Sequence, residues 1–217
     1  MIFCELIMSV KAVLFDMDGV LIDAKEWHYE ALNRALDLFG MPISRADHLT
    51  TFDGLPTRKK LEMLTLERGL PSALHEFINE MKQHYTMEIV HTRCKPYFTH
   101  EFALSKLRHL GYRMAVCSNS IRNTVETMMH KADLYKYLDL LVSNEDVKNG
   151  KPDPEMYVKA IKHFKLKPTE CLIIEDNENG IRAARASGAH LLVVRTVDDT
   201  NFENIQRRIV EIEAKQT

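Results

Sequence analysis

Lys11-Ala12-Val13-Leu14-Phe15-Asp16-Met17-Asp18-Gly19-Val20-Leu21-Ile22-Asp23 is the stretch on which the rest of the chain turns. Four apolar residues, Ala12 to Phe15, run without a polar break and end in two carboxylates spaced two apart. A run of this kind suits a strand buried on both faces. Asp16 and Asp18 then stand at its carboxyl end, where open α/β sheets bind ligands. Two nearby carboxylates do not ionise together without help: a cation between them, or a proton on one, relieves the repulsion. The stretch therefore asks for a hard metal such as Mg²⁺, for acid–base chemistry, or for both. Asp18-Gly19 alone reads as a turn; an apolar strand followed by D-x-D-G-V-x-x-D is far more specific.

Outward from this stretch the chain changes character twice. Residues 24–93 hold no strong strand pattern. Trp27, Ala31, Leu32, Ala35, Leu36 and Phe39 recur at helical spacing, Ser44 with Asp47 resembles a capping box, and Leu61, Leu64, Thr65 and Arg68 follow Pro56 as a further helix. Leu74, Phe77, Ile78, Met81 and Tyr85 predict one face of another, and Trp27 is expected in the core of the resulting helical bundle. From residue 95 strands and helices alternate: strands are predicted at 113–118, 138–143, 171–175 and 190–194, with helices at 99–110, 122–130, up to 164, 180–187 and from 202. Alternation of this kind means βαβ units and a parallel sheet. The reading is an α/β fold: a Rossmann-like core with a five- to six-stranded parallel sheet, residues 1–23 and 94–217, interrupted by an all-helical insertion at 24–93.

Composition sets bounds. The chain has 217 residues, 45% hydrophobic and 28% charged, with a net charge of −2 and a pI near 6.6. That balance argues against nucleic acid or an anionic membrane as a partner. No apolar run approaches the ~20 residues needed to span a bilayer. The first residues lack the features of a signal peptide, and Met8 is read as an alternative start to Met1, with 1–7 as a poorly ordered extension. Cysteines stand at 4, 94, 117 and 171 without a C-x-x-C pair, which fits a reducing cytoplasm.

Three later strand ends carry chemistry. Ser118-Asn119-Ser120 offers hydroxyls and backbone N–H groups at a helix start, which is a phosphate cradle or simply a cap. Lys151, in Lys151-Pro152-Asp153-Pro154, offers an ammonium on a backbone stiffened by proline; alone it reads as a solvated charge. Glu175-Asp176 ends the apolar run Leu172-Ile173-Ile174, and two acids after a buried strand are costly without a cation. Together with the opening stretch, these four motifs in this order resemble motifs I to IV of the haloacid dehalogenase superfamily, over residues 11–189. The insertion after the first strand resembles the helical cap of the subgroup that includes phosphoglycolate phosphatase and β-phosphoglucomutase.

The resemblance implies roles residue by residue. Asp16 is the nucleophile and forms an aspartyl-phosphate; Asp18 protonates the leaving oxygen and then activates water. Mg²⁺ is held by the Asp16 carboxylate, the Asp18 carbonyl and Asp176, with Glu175 as ligand or close neighbour. Ser118, the Asn119 N–H and Lys151 hold the phosphoryl group. Asp18 also separates phosphatases from dehalogenases, which lack it. Substrate choice is expected in the cap, with Arg58, in the Asp53-Gly54-Leu55-Pro56-Thr57-Arg58 loop, and His28 as candidates; the resembling mutases use a histidine near the position of His28. Two departures, Ala24-Lys25-Glu26 after Asp23 and Pro96-Tyr97 at the return to the core, bear on the substrate rather than the chemistry. The expected function is a cytoplasmic, Mg²⁺-dependent phosphatase of a small-molecule phosphate ester such as a sugar or polyol phosphate, monomeric or homodimeric. A phosphosugar mutase and a non-catalytic binding protein on the same fold are the alternatives.

Overall fold

The computed structural model describes residues 9–52 and 55–215. The reading of Met1 or Met8 as the start, and the loop residues Asp53 and Gly54, lie outside the described residues. The described chain divides into two compact units: residues up to Asp23 together with those from Lys95, and Ala24–Cys94.

In the first unit five strands form one parallel sheet among the described residues: β1 (Ala12–Phe15), β2 (Arg113–Cys117), β3 (Leu140–Val142), β4 (Cys171–Glu175) and β5 (His190–Val193), in the order β3-β2-β1-β4-β5. Leu14 pairs with Ala115 on one side and Ile173 on the other. The chain thus builds outward from β1 through β2 to β3, then returns to lay β4 on the opposite side of β1. That reversal opens a crevice at the carboxyl ends of β1 and β4, the place where α/β sheets take ligands. β1 is buried along its whole length, which is why its sequence lacks alternation.

Strand alternation divides the burial between two faces. On one, α7 (Glu155–His163) and α8 (Glu178–Ser187) set Met156, Tyr157, Ala160, Ile161, Ala183 and Ala184 against Ala12, Leu14, Ala115, Cys117, Cys171 and Ile173. The alanines of α8 let its backbone approach the sheet. Val13, Phe15, Met114, Val116, Leu172 and Ile174 point to the other face and are equally buried. There α5 (Phe98–His109), α6 (Arg122–Lys131) and α9 (Phe202–Glu213) bring buried stripes such as Ile205, Ile209 and Ile212. Each such side chain contributes about 1.5–3 kcal/mol on burial. Gly188, at φ 79°, ends α8, and the Asn177 side chain caps its start by accepting from the Gly180 N–H.

The second unit contains α1 (Lys25–Asp37), a short α2 (Arg45–Asp47) capped by Ser44, α3 (Thr57–Arg68) and α4 (His75–Arg93), with no strand among its described residues. Leu32, Leu36, Ile43, Phe52, Leu61, Leu64 and Ile78 form its core. Two expectations are corrected here. Phe77 is 46% exposed, its ring meeting Phe39 edge-on. The buried stripe of α4 instead follows fourfold spacing through Ile78, Lys82, Thr86 and Val90. A lysine can lie there because its methylene stem packs while its amine finds a partner, here the His28 Nδ1 at 3.4 Å. Trp27 is half-buried and stands outside the core.

Beyond β3, Asp146 ties three elements together. Its Oδ2 accepts from the Ser143 N–H and hydroxyl, both at 2.8 Å, and from Arg122 Nη2 at 2.6 Å. Burial alone raises its pKa, but the Ser143 amide and the Arg122 guanidinium outweigh this and bring it down to about 2. A depressed carboxylate pKa stabilises the fold above the unfolded value near 3.8 and loses that contribution as the pH falls toward 2. Because the carboxylate is 22% exposed, Asp146→Ala is expected to cost about 1–2 kcal/mol at neutral pH, and about nothing near pH 2. Urea unfolding of both proteins at pH 7 and pH 2–3 measures the difference.

Candidate active site

Four strand ends meet at the crevice. Asp16 follows β1 and extends its ladder, with its N–H donating to the Ile174 carbonyl at 3.0 Å. The chain then folds back: Gly19, at φ 89°, donates its N–H to the Ile22 carbonyl at 2.7 Å. That left-handed conformation favours glycine and leaves Asp18 half-buried on the turn. Ser118 follows β2 and is buried, its Oγ accepting from the Ser120 N–H. Glu175 closes β4, and Asp176 comes next.

Lys151 joins these ends. Its Nζ donates to Asp16 Oδ1 and to Glu175 Oε1, both at 2.6 Å, and all three side chains are buried. The lysine is aimed by its backbone. Asn119 grips both sides of it, with Oδ1 accepting from the Lys151 N–H at 2.9 Å and Nδ2 donating to the Lys151 carbonyl at 3.2 Å. Gly150 leaves the space for that grip: a Cβ there would lie 2.6 Å from Asn119 Oδ1. On the far side Tyr157, from α7, donates its hydroxyl to Glu175 Oε1 at 2.5 Å, and its ring centroid lies 4.9 Å from the ammonium.

Burial and neighbouring charge pull on both partners. Burial works against the Lys151 charge, but the Asp16 and Glu175 carboxylates outweigh it and hold the ammonium above the usual lysine range. Asp16 itself is pushed well above the carboxylate range, by burial first and then by Glu175, with Lys151 only partly opposing. Lys151 thus faces the Asp16 and Glu175 carboxylates directly, and Asp18 and Asp176 add to the charges that raise Asp16. Asp16, Glu175 and Asp176 each offer an oxygen within 4.8 Å of the others. A set of hard oxygen donors at this spacing fits a hard divalent cation. Burial pushes the nearby Cys117 thiol up to about 12, which favours its protonated form.

The structure thus brings Asp16, Lys151, Glu175 and Asp176 together, with Ser118 and Asn119 at the next strand end and Asp18 on the turn, where the Ser120 hydroxyl donates to its Oδ2 at 3.4 Å. Arg58 and His28 belong to the other compact unit. The Arg58 side chain is 88% exposed and its Nε donates to Glu62; His28 is half-buried beside Lys82. Sequence reasoning passed over Tyr157 and Gly150, and it gave Ser120 only as part of the Ser118-Asn119-Ser120 stretch and Gly180 only as a helix start. A signal for Tyr157 was present: a tyrosine in the apolar stripe of α7 needs a partner for its hydroxyl.

Gly180 sits where a Cβ would lie 1.9 Å from Glu175 Oε1 and 2.0 Å from its Cδ. The carboxylate cannot swing aside cheaply, because Lys151 and Tyr157 hold it. Gly180→Ala is expected to destabilise the protein by about 2–4 kcal/mol by breaking this buried pair, as read by a fall in Tm.

Comparison with known proteins follows the same residues. The profile described as Haloacid dehalogenase-like hydrolase matches residues 13–194. A protein of Thermotoga maritima named Phosphorylated carbohydrates phosphatase is 29% identical over 195 residues, 88% of each chain. A Phosphoglycolate phosphatase of Aquifex aeolicus is 27% identical over 180 residues, 82% of each chain. The crystal structure of beta-phosphoglucomutase from Clostridium difficile shares the fold, with a TM-score of 0.79 at 21% identity over 94% of this chain and 99% of that one. The matched stretch runs through every strand end that carries the buried charges, and the chain belongs to the haloacid dehalogenase-like hydrolases.

Proposed function

We propose that this enzyme is a Mg²⁺-dependent phosphatase of a small phosphorylated metabolite, acting through an aspartyl-phosphate. The observation that carries the reading is the Lys151 ammonium 2.6 Å from Asp16 Oδ1 at the carboxyl end of β1. A carboxylate approaching a phosphate ester meets anion–anion repulsion, and a fixed buried cation offsets it. The names of the Thermotoga and Aquifex relatives support the same chemistry.

Asp16 attacks phosphorus in line with the ester oxygen, and the P–O bond to the leaving alkoxide breaks. Asp18, protonated, gives its proton to that alkoxide. It then takes a proton from water, which attacks the phosphoryl group and returns Asp16 as a carboxylate with inorganic phosphate. Lys151 stays charged throughout and faces the developing negative oxygens. Ser118 and the Asn119 N–H supply donors to the phosphoryl group. Asp16, Asp176 and the Asp18 carbonyl, with Glu175 beside them, are the groups that would hold Mg²⁺, whose chemistry is to neutralise the transferring phosphoryl. Positioning and charge account for most of such catalysis.

The two-unit division supports a Rossmann-like catalytic core and a helical cap that selects substrate, with Arg58 and His28 as its candidate contacts. A sugar phosphate, polyol phosphate or similar alcohol phosphate is the substrate class this reading favours. A phosphosugar mutase is the second reading, because the resembling mutases use a histidine near the position of His28.

Phosphate release across a panel of small phosphate esters, with Mg²⁺ and with EDTA, tests the proposal. Metal-dependent release concentrated on one or two compounds is expected, and Asp16→Asn should lower it by about 10³-fold or more with the fold intact by circular dichroism. Isomerised sugar phosphate, formed only with a bisphosphate activator and without phosphate release, would establish the mutase instead.

A further inference from the structure

We propose that His100 is a positioning residue for Asp18, tying the turn that carries the acid to the loop that follows β5. The inference rests on the phosphatase reading above for what Asp18 does.

His100 lies in the first turn of α5 and is buried. A polar side chain so placed costs free energy unless something engages it. Its Nε2 donates to the Val197 carbonyl at 2.8 Å; a carbonyl only accepts, so Nε2 carries the proton. The Leu21 carbonyl also faces the ring and favours its charged form, although among the described residues Nδ1 closes no hydrogen bond of good geometry. Burial outweighs the two carbonyls and the Asp198 carboxylate and holds the ring below the usual histidine range. His100 is therefore a neutral ring with one N–H to give, set between two loops.

Both loops are themselves held. Leu21 belongs to the turn after β1: its N–H donates to the Met17 carbonyl at 3.0 Å, and Gly19 closes the same turn on Ile22. Asp18 sits inside that turn. On the other side the Val197 carbonyl also accepts from the Thr200 N–H at 3.1 Å, and the Asp199 carboxylate takes the Arg195 and Thr196 N–H groups at 2.9 and 3.1 Å. Tyr97 adds a second grip on this loop. Its hydroxyl donates to Asp198 Oδ1, and its ring meets His100 edge-on with centroids 4.9 Å apart. The Asp198 carboxylate holds the phenol above the usual tyrosine range, which keeps it a donor.

The place of this cluster in the chain gives it a purpose. Leu21 stands two residues before the chain leaves the first compact unit at Asp23, and α5 begins three residues after it returns at Lys95. Motion at either crossing would reach the turn that carries Asp18, whose proton must come within hydrogen-bond reach of the leaving oxygen. His100 fastens both segments to one stiff loop of the core, so the turn keeps its place.

Three variants of the full-length protein test this: His100→Leu, which keeps bulk and removes the donor, His100→Gln, whose amide nitrogen can replace Nε2, and Tyr97→Phe, which removes only the hydroxyl. One readout is amide hydrogen exchange across residues 17–22, which needs no turnover. The other is kcat/KM with Mg²⁺ on two esters, the best alkyl phosphate from the panel and p-nitrophenyl phosphate. The p-nitrophenolate ion leaves without a proton, so its displacement does not depend on the acid, whereas a merely structural loss would lower both esters alike. His100→Leu is expected to speed exchange in the turn about tenfold or more with β1 unchanged. It should lower kcat/KM about tenfold or more on the alkyl ester and less than about threefold on the aryl ester. His100→Gln should return the alkyl ester to within about threefold of wild type, with Tyr97→Phe falling between. Unchanged exchange in His100→Leu overturns the tie between the loops. Faster exchange with both esters lowered alike, or with neither lowered, overturns the positioning of Asp18. If His100→Leu does not fold, Tyr97→Phe carries both readouts with an effect of about threefold, and no effect on either overturns the proposal. If the wild type takes only the alkyl ester, His100→Gln decides: restored activity supports the proposal and its absence overturns it. A wild-type protein that hydrolyses neither ester would end the phosphatase reading, while hydrogen exchange still decides the tie.

Discussion

The Lys151 ammonium, buried between Asp16 and Glu175 at 2.6 Å from each, is the interaction on which the site depends. Taking three charges out of water costs several kcal/mol per ion before any attraction is counted. The arrangement persists only because each partner is over-determined by something else: Asp16 by the β1–β4 ladder, Lys151 by the two-point grip of Asn119, Glu175 by Tyr157 and the opening at Gly180. Replacing such a cluster with apolar side chains would not weaken the fold in principle. Its retention makes sense as chemistry, because the same low dielectric that makes it costly strengthens every charge aimed at a phosphoryl group.

The sheet explains why these groups are neighbours. Order β3-β2-β1-β4-β5 places the first strand at the centre and its two later partners, β2 and β4, on either side. Residues about 100 and 160 positions apart therefore end at one edge, and no local structure could have brought them there. Parallel pairing matters as well: it turns every carboxyl end the same way, so four loops converge on one crevice. The carboxylates gathered there, Asp16, Glu175 and Asp176, are hard oxygen donors of the kind that suit a hard cation.

The helical unit has its own logic. α4 buries Lys82 and Thr86 on the stripe that otherwise carries Ile78 and Val90. Polar groups in that position cost free energy unless satisfied, and Lys82 meets His28.

Much of the fold and half of the site were legible in the amino-acid order. The unbroken run from Ala12 to Phe15, the alternation after residue 95 and the acids after β1 and β4 announced an α/β sheet with charged strand ends, because burial on both faces and carboxylates beside one another leave few alternatives. The helical character of 24–93 was equally plain from spacing. What the order of residues could not reveal was which polar groups share a partner. Ser118, Asn119 and Lys151 were identifiable as a set, but that the Asn119 side chain holds the lysine backbone is a fact of packing. Phe77 looked like core and is exposed, because periodicity marks a face to within one residue and only the neighbouring helix decides which side of it is covered. Tyr157, Gly150 and Gly180 are the sharpest case: as letters they are a helix residue and two glycines, and their meaning comes from side chains that reach them across the fold, from Glu175 and Asn119. Local pattern determined the elements and the chemistry available at their ends; tertiary packing decided which of those groups touch, since contact between distant residues depends on shape and distance that no stretch of sequence carries by itself.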